Sequence, residues 1–257
     1  MRLLLVSLLL LAVTACSGGR FHLARDEYSA RVKTLGVVPI LVDAGSFSHP
    51  QSAELVALLQ KHNRGKAAVL VEKLRSKERY FDVRLVEGDP ASLFRRLVAG
   101  SRLTGDGGRF YRDYSFSAQG VSEVAADYVV DGLLVVIQSG IERVETRRDR
   151  IPVNYLEAPY QSVQVRAVVV LPDGTLAWDY PAQGSATFLD LQYPDFDEAY
   201  YNRTDRVKIK FVTLDGLDRA LGEVDAGVFG SQKLPKPYAD LFDSLTGGLA
   251  PLLGGLL

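Results

Sequence analysis

The chain has 257 residues, 47% of them hydrophobic and 24% charged, with 23 glycines and 11 prolines, a globular composition that excludes disorder, collagen and coiled coil. Its 30 basic and 31 acidic residues leave a formal net charge of −1, so the excess of Lys and Arg needed to neutralise phosphates is missing and a nucleic-acid partner is excluded. The one cysteine, Cys16, allows neither an intramolecular disulfide nor a CxxC metal or redox site.

Residues 1–15 carry Arg2 and then an apolar run that closes on small residues. About 20 apolar residues are needed to cross a bilayer, so this reads as a cleaved secretory signal rather than a span. The run ends in Val13-Thr14-Ala15-Cys16, which resembles the lipobox of bacterial lipoproteins, where small residues precede a cysteine that is lipidated and becomes the new amino terminus. The resemblance implies a diacylglycerol and an amide-linked acyl chain on Cys16, two chains being enough for stable anchoring. In Gram-negative lipoproteins an Asp after the cysteine retains the protein at the inner membrane. Ser17 in that place implies the outer membrane, facing the periplasm. Residues 16–31 then form a lipidated polar tether, 32–230 an α/β periplasmic domain, and 231–257 an apolar, Gly-rich tail.

Within the domain, residues 34–42 are β-branched and apolar and are expected as the first strand, with Pro39 marking an edge or a bulge. Leu55, Leu58, Leu59 and His62 recur at helical spacing, as do Leu70, Lys73, Leu74 and Lys77, with Gly65 between the two helices. Residues 81–86 alternate as a second strand. Asp89-Pro90 supplies an N-cap followed by proline at the first helical position and opens a helix through Leu97. Residues 102–120 hold four glycines and four aromatics without a helical period and are expected as a long loop leading to a short helix over 121–126. Residues 128–137 are nearly continuous apolar text, the mark of a strand covered on both faces, continuing as a polar ribbon through 148. Pro172-Asp173-Gly174 turns residues 163–171 back onto 175–180, with Gly174 at positive φ and Trp178 opposite Val168. A second aromatic and acidic loop follows Asp190, and then an amphipathic helix over 207–221.

Little of this text carries chemistry. His22, His49 and His62 have no ligand at i+3 or i+4, no G-x-S-x-G is present, and Asp195, Asp197 and Glu198 lack the spacing of an EF-hand loop. We therefore expect no catalytic residues, no metal and no cofactor. The aromatic loops offer a binding surface, because exposed rings supply contact area at small entropic cost. The candidates are Phe110, Tyr111, Tyr114 and Phe116 in the first, and Tyr193, Phe196, Tyr200 and Tyr201 in the second. The alternative is that the rings fold back as satellite core.

The element order predicts an α/β sandwich with a mixed β-sheet and flanking helices. Three stretches resemble envelope lipoproteins of the curli-secretion (CsgG-like) type and the amino-terminal domain of TolB: V-K-T-L-G-V-V-P-I near the start, Ala126-Asp127-Tyr128 with Gly132 before the buried strand, and Asp173-Gly174 with Trp178 in the hairpin. The likeness spans roughly residues 32–190; residues 101–120 and 147–162 depart from it, and obvious membrane-spanning hairpins are missing. It implies a lipid-anchored, non-catalytic component of the cell envelope that binds another envelope protein or itself. A periplasmic hydrolase with scattered residues and a subunit of a secretion channel are the alternatives.

Overall fold

The structure, a computed structural model, describes residues 18–106, 109–150, 154–201, 206–224 and 234–249. Residues 1–17, with the expected signal segment and Cys16, lie outside the described residues. The chain is mixed α/β, built on one mixed eight-stranded sheet. Its elements are β1 (Arg20–Phe21), α1 (Arg25–Arg31), β2 (Thr34–Val37), β3 (Leu41–Asp43), α2 (Ser52–Asn63), α3 (Lys66–Arg75), β4 (Asp82–Leu85), α4 (Pro90–Leu97), β5 (Val98–Asp106), β6 (Arg109–Phe116) and α5 (Ala118–Tyr128). There follow β7 (Gly132–Arg148), β8 (Tyr155–Val170), β9 (Leu176–Tyr180), β10 (Ala186–Asp190), β11 (Gln192–Asp195), α6 (Phe196–Tyr201), β12 (Lys208–Phe211), α7 (Leu214–Gly222) and α8 (Lys236–Gly248).

The main sheet runs β1-β9-β8-β7-β2-β4, with β3 also on β7 and β10 also on β8. β2 is parallel to both β4 and β7, while β7, β8, β9 and β1 are joined antiparallel. The apolar start of β7 is the centre. Leu134 and Val136 face a cluster formed with α1, α2, α3, α7 and α8, whereas Leu133, Val135 and Ile137 face a second cluster formed with α4, α5 and Tyr114 of β6. Alternation with period two on a doubly covered strand thus produces helices on both faces. Beyond the core, β7 and β8 stay paired to Arg148↔Tyr155 as a ribbon, where Arg147 stacks 4.2 Å over the Tyr160 ring and pairs with Asp190 at 2.8 Å.

Several elements differ from the sequence expectation, each for a local reason. Residues 34–42 are two strands, because Pro39 has no N–H to give the ladder; β3 then re-pairs with β7 at Leu41↔Ile137. β2 is interior, not an edge. Residues 102–120 are not a loop: β5 and β6 pair from Val98↔Phe116 to Asp106↔Arg109, and Ser117 caps α5 by accepting from the Gly120 N–H at 3.1 Å. Tyr128 ends that helix instead of entering the strand, and Val129 takes a left-handed φ of 51° as the helix stops. The expected helix over 207–221 is β12 followed by α7, with Thr213 as the N-cap.

The β8–β9 hairpin forms as expected at its turn, with Gly174 at φ 83° and its N–H donating to the Leu171 carbonyl at 2.8 Å. A register shift after Val170↔Leu176 places the fully buried Trp178 opposite Val169, so its expected pairing with Val168 is corrected by one residue. At the two ends of the domain, segments read as tether and tail carry core residues. β1 pairs with β9, Tyr28 of α1 is buried, and Tyr238, Phe242 and Leu245 of α8 are fully buried. α8 docks because its apolar positions recur every three to four residues, and Gly247 and Gly248 fall at its last positions.

Candidate partner-binding surface

The first aromatic segment is β6, which lies over the sheet so that side chains from both faces of the hairpin reach it. On one face Tyr114, 6% exposed, donates its hydroxyl to Asp43 Oδ2 at 3.0 Å, and Arg112 Nε stands 3.5 Å from the same oxygen. Burial and the Asp43 charge push the Tyr114 phenol well above its ordinary range. On the other face Asp113 lies 3.4 Å from the Arg166 guanidinium, which also sits 5.7 Å from the Tyr111 ring centroid. Phe116 packs against the α4–α5 cluster and Phe110 is half-buried opposite Gly105.

Arg166 belongs to a buried charge group. Its Nη2 is 3.1 Å from Asp179 Oδ2, Arg20 reaches the same oxygen at 3.1 Å, and His22 Nε2 is 3.4 Å from Oδ1. Asp179 is fully buried, so its charge depends on these partners; removing them would leave an uncompensated carboxylate. The group joins β1, β8, β9 and the β5–β6 hairpin, and it holds the hairpin down.

The second aromatic segment is arranged differently. β11 pairs with β12 from Gln192↔Phe211 to Asp195↔Lys208, and α6 follows directly. Lys210 pairs with Asp195 at 2.9 Å and with Glu198, and Lys208 pairs with Glu198 at 2.9 Å. The Glu198 backbone N–H, with Lys210, holds the Asp195 carboxyl below its usual range, and Lys210 and Lys208 do the same for Glu198. The acidic residues are thus neutralised locally, and the rings beside them are left outside. Tyr200 is 80% exposed and Tyr201 79%, their rings edge to face at 5.4 Å, and Tyr193 is 42% exposed; Phe196 is half-buried.

The remaining polar candidates have structural partners. Asp131 Oδ2 accepts the backbone N–H groups of Lys33 at 2.9 Å and Thr34 at 2.7 Å, which ties β2 to the start of β7, and Asp127 pairs with Arg96 at 3.1 Å. His62 meets Asp218 at 2.6 Å, and His49 is buried edge-on against Phe211. Among the described residues, no group of three or more His, Cys, Asp or Glu side chains is placed to hold a metal, and no helix is long and apolar enough to cross a membrane.

What the sequence did not disclose is the Asp179–Arg166 group: its members are scattered from residue 20 to residue 179, and only alternation of Arg166 and Asp179 with buried neighbours hints at charges facing inward. No protein-family model, curated protein or solved structure matches the chain. These comparisons identify no CsgG-like or lipoprotein family. In the fold the motifs that carry the sequence likeness close α5, open β7 and turn β8 into β9; Tyr128, for example, bonds the Glu87 backbone through its hydroxyl at 2.7 and 3.0 Å.

Proposed function

We propose that the chain is a lipid-anchored, non-catalytic binding component of a bacterial cell envelope, held at the outer membrane through Cys16 and facing the periplasm. Its partner surface is Tyr193, Tyr200 and Tyr201 on β11 and α6, and the partner is another envelope protein or a second copy of this chain. The observation that supports this reading is the Tyr200–Tyr201 pair, two large rings about four-fifths exposed beside the ion-paired β11–β12 strands. Exposed rings of this kind supply contact area for burial in a partner pocket. Lipid anchoring is supported by the Val13-Thr14-Ala15-Cys16 sequence.

The test is extraction in mild detergent followed by identification of co-purifying proteins for wild type, Cys16→Ser and the double Tyr200→Ala, Tyr201→Ala variant. Cys16→Ser should move the protein from the membrane to the soluble fraction. The tyrosine variant should keep its membrane location and melting temperature and lose its partner. Retained capture by a folded double variant would reject this surface.

A further inference from the structure

The segment expected as a tether is not a spacer, because β1 begins at Arg20 and pairs at once with β9. Gly19, just before it, packs against the indole of the buried Trp178 so closely that a β-carbon would stand 2.2 Å from the ring. Only Ser17 and Gly18 separate Gly19 from Cys16, and three Cα steps span at most about 11 Å. A lipid on Cys16 would therefore hold this end of the domain against the membrane surface.

The close of α8 arrives at the same place. A β-carbon at Gly248 would lie 3.0 Å from both the Gly19 nitrogen and the Trp178 ring. Leu249, which follows, is buried and lines a small cleft with Phe21, Arg25, Tyr28, Arg79 and Tyr80. From there the sequence continues Ala-Pro-Leu-Leu-Gly-Gly-Leu-Leu, four leucines and no charge, over residues outside the described ones. The lipidated cysteine and the apolar terminal sequence thus leave the domain side by side.

The chain around that cleft is basic and carries an exposed ring. From Lys73 to Phe81 there are four basic residues and one acidic, Glu78. Lys73 pairs with Asp243 at 2.5 Å and Arg75 with Glu72 at 2.9 Å, while Arg25, Lys77 and Arg79 are exposed. In α1 the acids are Asp26 and Glu27, and Glu27 pairs with Arg31 at 3.5 Å. Phe81, next in the chain to Tyr80 of the cleft, is 88% exposed, although its N–H is fixed to the Lys33 carbonyl at 2.8 Å. Its backbone is held while its ring is left to solvent.

We propose that the domain rests on a phospholipid surface through this end, with the Phe81 ring among the headgroups and Arg25 and Lys77 against their phosphates. The inference rests on the lipid-anchor reading of Cys16 and deepens it by giving the anchored domain an orientation. Anchoring makes the second contact intramolecular, so one exposed ring and a few cationic side chains suffice where they would not bind a membrane alone. The contact involves none of the tyrosines proposed as the partner surface.

Cys16 is the one cysteine, so a cysteine introduced into the lipidated full chain takes a spin label alone. The labelled chain is placed on vesicles of phosphatidylethanolamine with about one quarter phosphatidylglycerol, an anionic surface. Accessibility to oxygen and to a nickel chelate is then compared for Phe81→Cys and for Glu157→Cys, an exposed position on the β7–β8 ribbon. The label at position 81 should be reached by oxygen and shielded from nickel, and the label at 157 should be open to nickel. Adding Arg25→Gln and Lys77→Gln should move the position 81 label towards water by about fivefold for each charge removed, with the melting temperature unchanged. A position 81 label as open to nickel as that at 157, in a chain whose mass shows lipid on Cys16, would overturn this inference alone. Shielding from oxygen and nickel together would overturn it in favour of a protein cover, and an unchanged response in the glutamine variant would overturn the phosphate contacts. A membrane-extracted chain without lipid on Cys16 would overturn both this inference and the anchor reading beneath it.

Discussion

In the β5–β6 hairpin, Tyr111, Tyr114 and Phe116 are drawn onto the sheet, whereas Tyr200 and Tyr201 of α6 stand almost free in solvent. Both segments are dense in aromatic rings. The difference lies in what receives the polar atoms. Beneath the hairpin the sheet presents Asp43 and Arg166, so the Tyr114 phenol descends with its hydrogen bond made and the Asp113 carboxylate with an ion pair. Beside α6 the acidic side chains are answered by Lys208 and Lys210 of the neighbouring strand, and nothing draws the tyrosines inward. Ring density alone does not separate satellite core from binding surface; a waiting polar partner does.

The largest effect should come from the buried side of that contrast. Tyr114→Ala removes a nearly fully buried ring and should destabilise by about 3–5 kcal/mol, measured by denaturant melts. Asp179→Ala should fall in the same range of about 3–5 kcal/mol, because the buried Arg166 then loses its closest carboxylate. If either costs under half that amount, the hairpin is not held as described.

A smaller loss is expected for Tyr114→Phe, which keeps the ring and deletes the hydroxyl bond to the Asp43 carboxylate, worth about 1.5–3 kcal/mol. The same contrast has a pH signature. Burial raises the phenol of Tyr80 to about 12 and those of Tyr28, Tyr114 and Tyr238 above their ordinary value. In the unfolded chain these groups lose their protons near pH 10, while the native state retains them. Stability contributed by the neutral phenols is therefore complete below about pH 10 and declines as the pH rises from 10 towards 12. Tyr80→Phe should make the decline shallower in melts taken across that window; an unchanged slope would remove Tyr80 from the account.

Val129 offers a change of opposite sign. A β-branched residue at φ 51° stops α5 while its side chain is 71% exposed, so Val129→Gly should stabilise by up to about 1 kcal/mol through relief of left-handed strain. The smallest effect belongs to the exposed rings. Tyr200→Ala and Tyr201→Ala should each change stability by no more than about 0.5 kcal/mol. A loss of several kcal/mol there would show that these tyrosines cover core after all, and the distinction between the two segments would fail.

Local chemistry was sufficient for much of the fold. The apolar run that became β7, the Asp89-Pro90 opening of α4 and the Pro172-Asp173-Gly174 turn were legible because each depends on residues close in the chain: covered faces, a cap 2.8 Å from the Ser92 N–H, a glycine at positive φ. The α/β class followed from the order of such signals. The β5–β6 hairpin was not legible, since its strands satisfy each other's backbone groups while its side chains depend on Asp43 and Arg166, distant in sequence. Likewise α1 and α8 looked like tether and tail until Tyr28, Tyr238 and Phe242 met the same buried cluster. For the candidate surface, the sequence by itself determined where the rings are concentrated. Only the tertiary structure decided which remain outside, because burial of a tyrosine or a charge turns on a partner that pairing and packing bring within about 3 Å, and that partner belongs to another element of the chain.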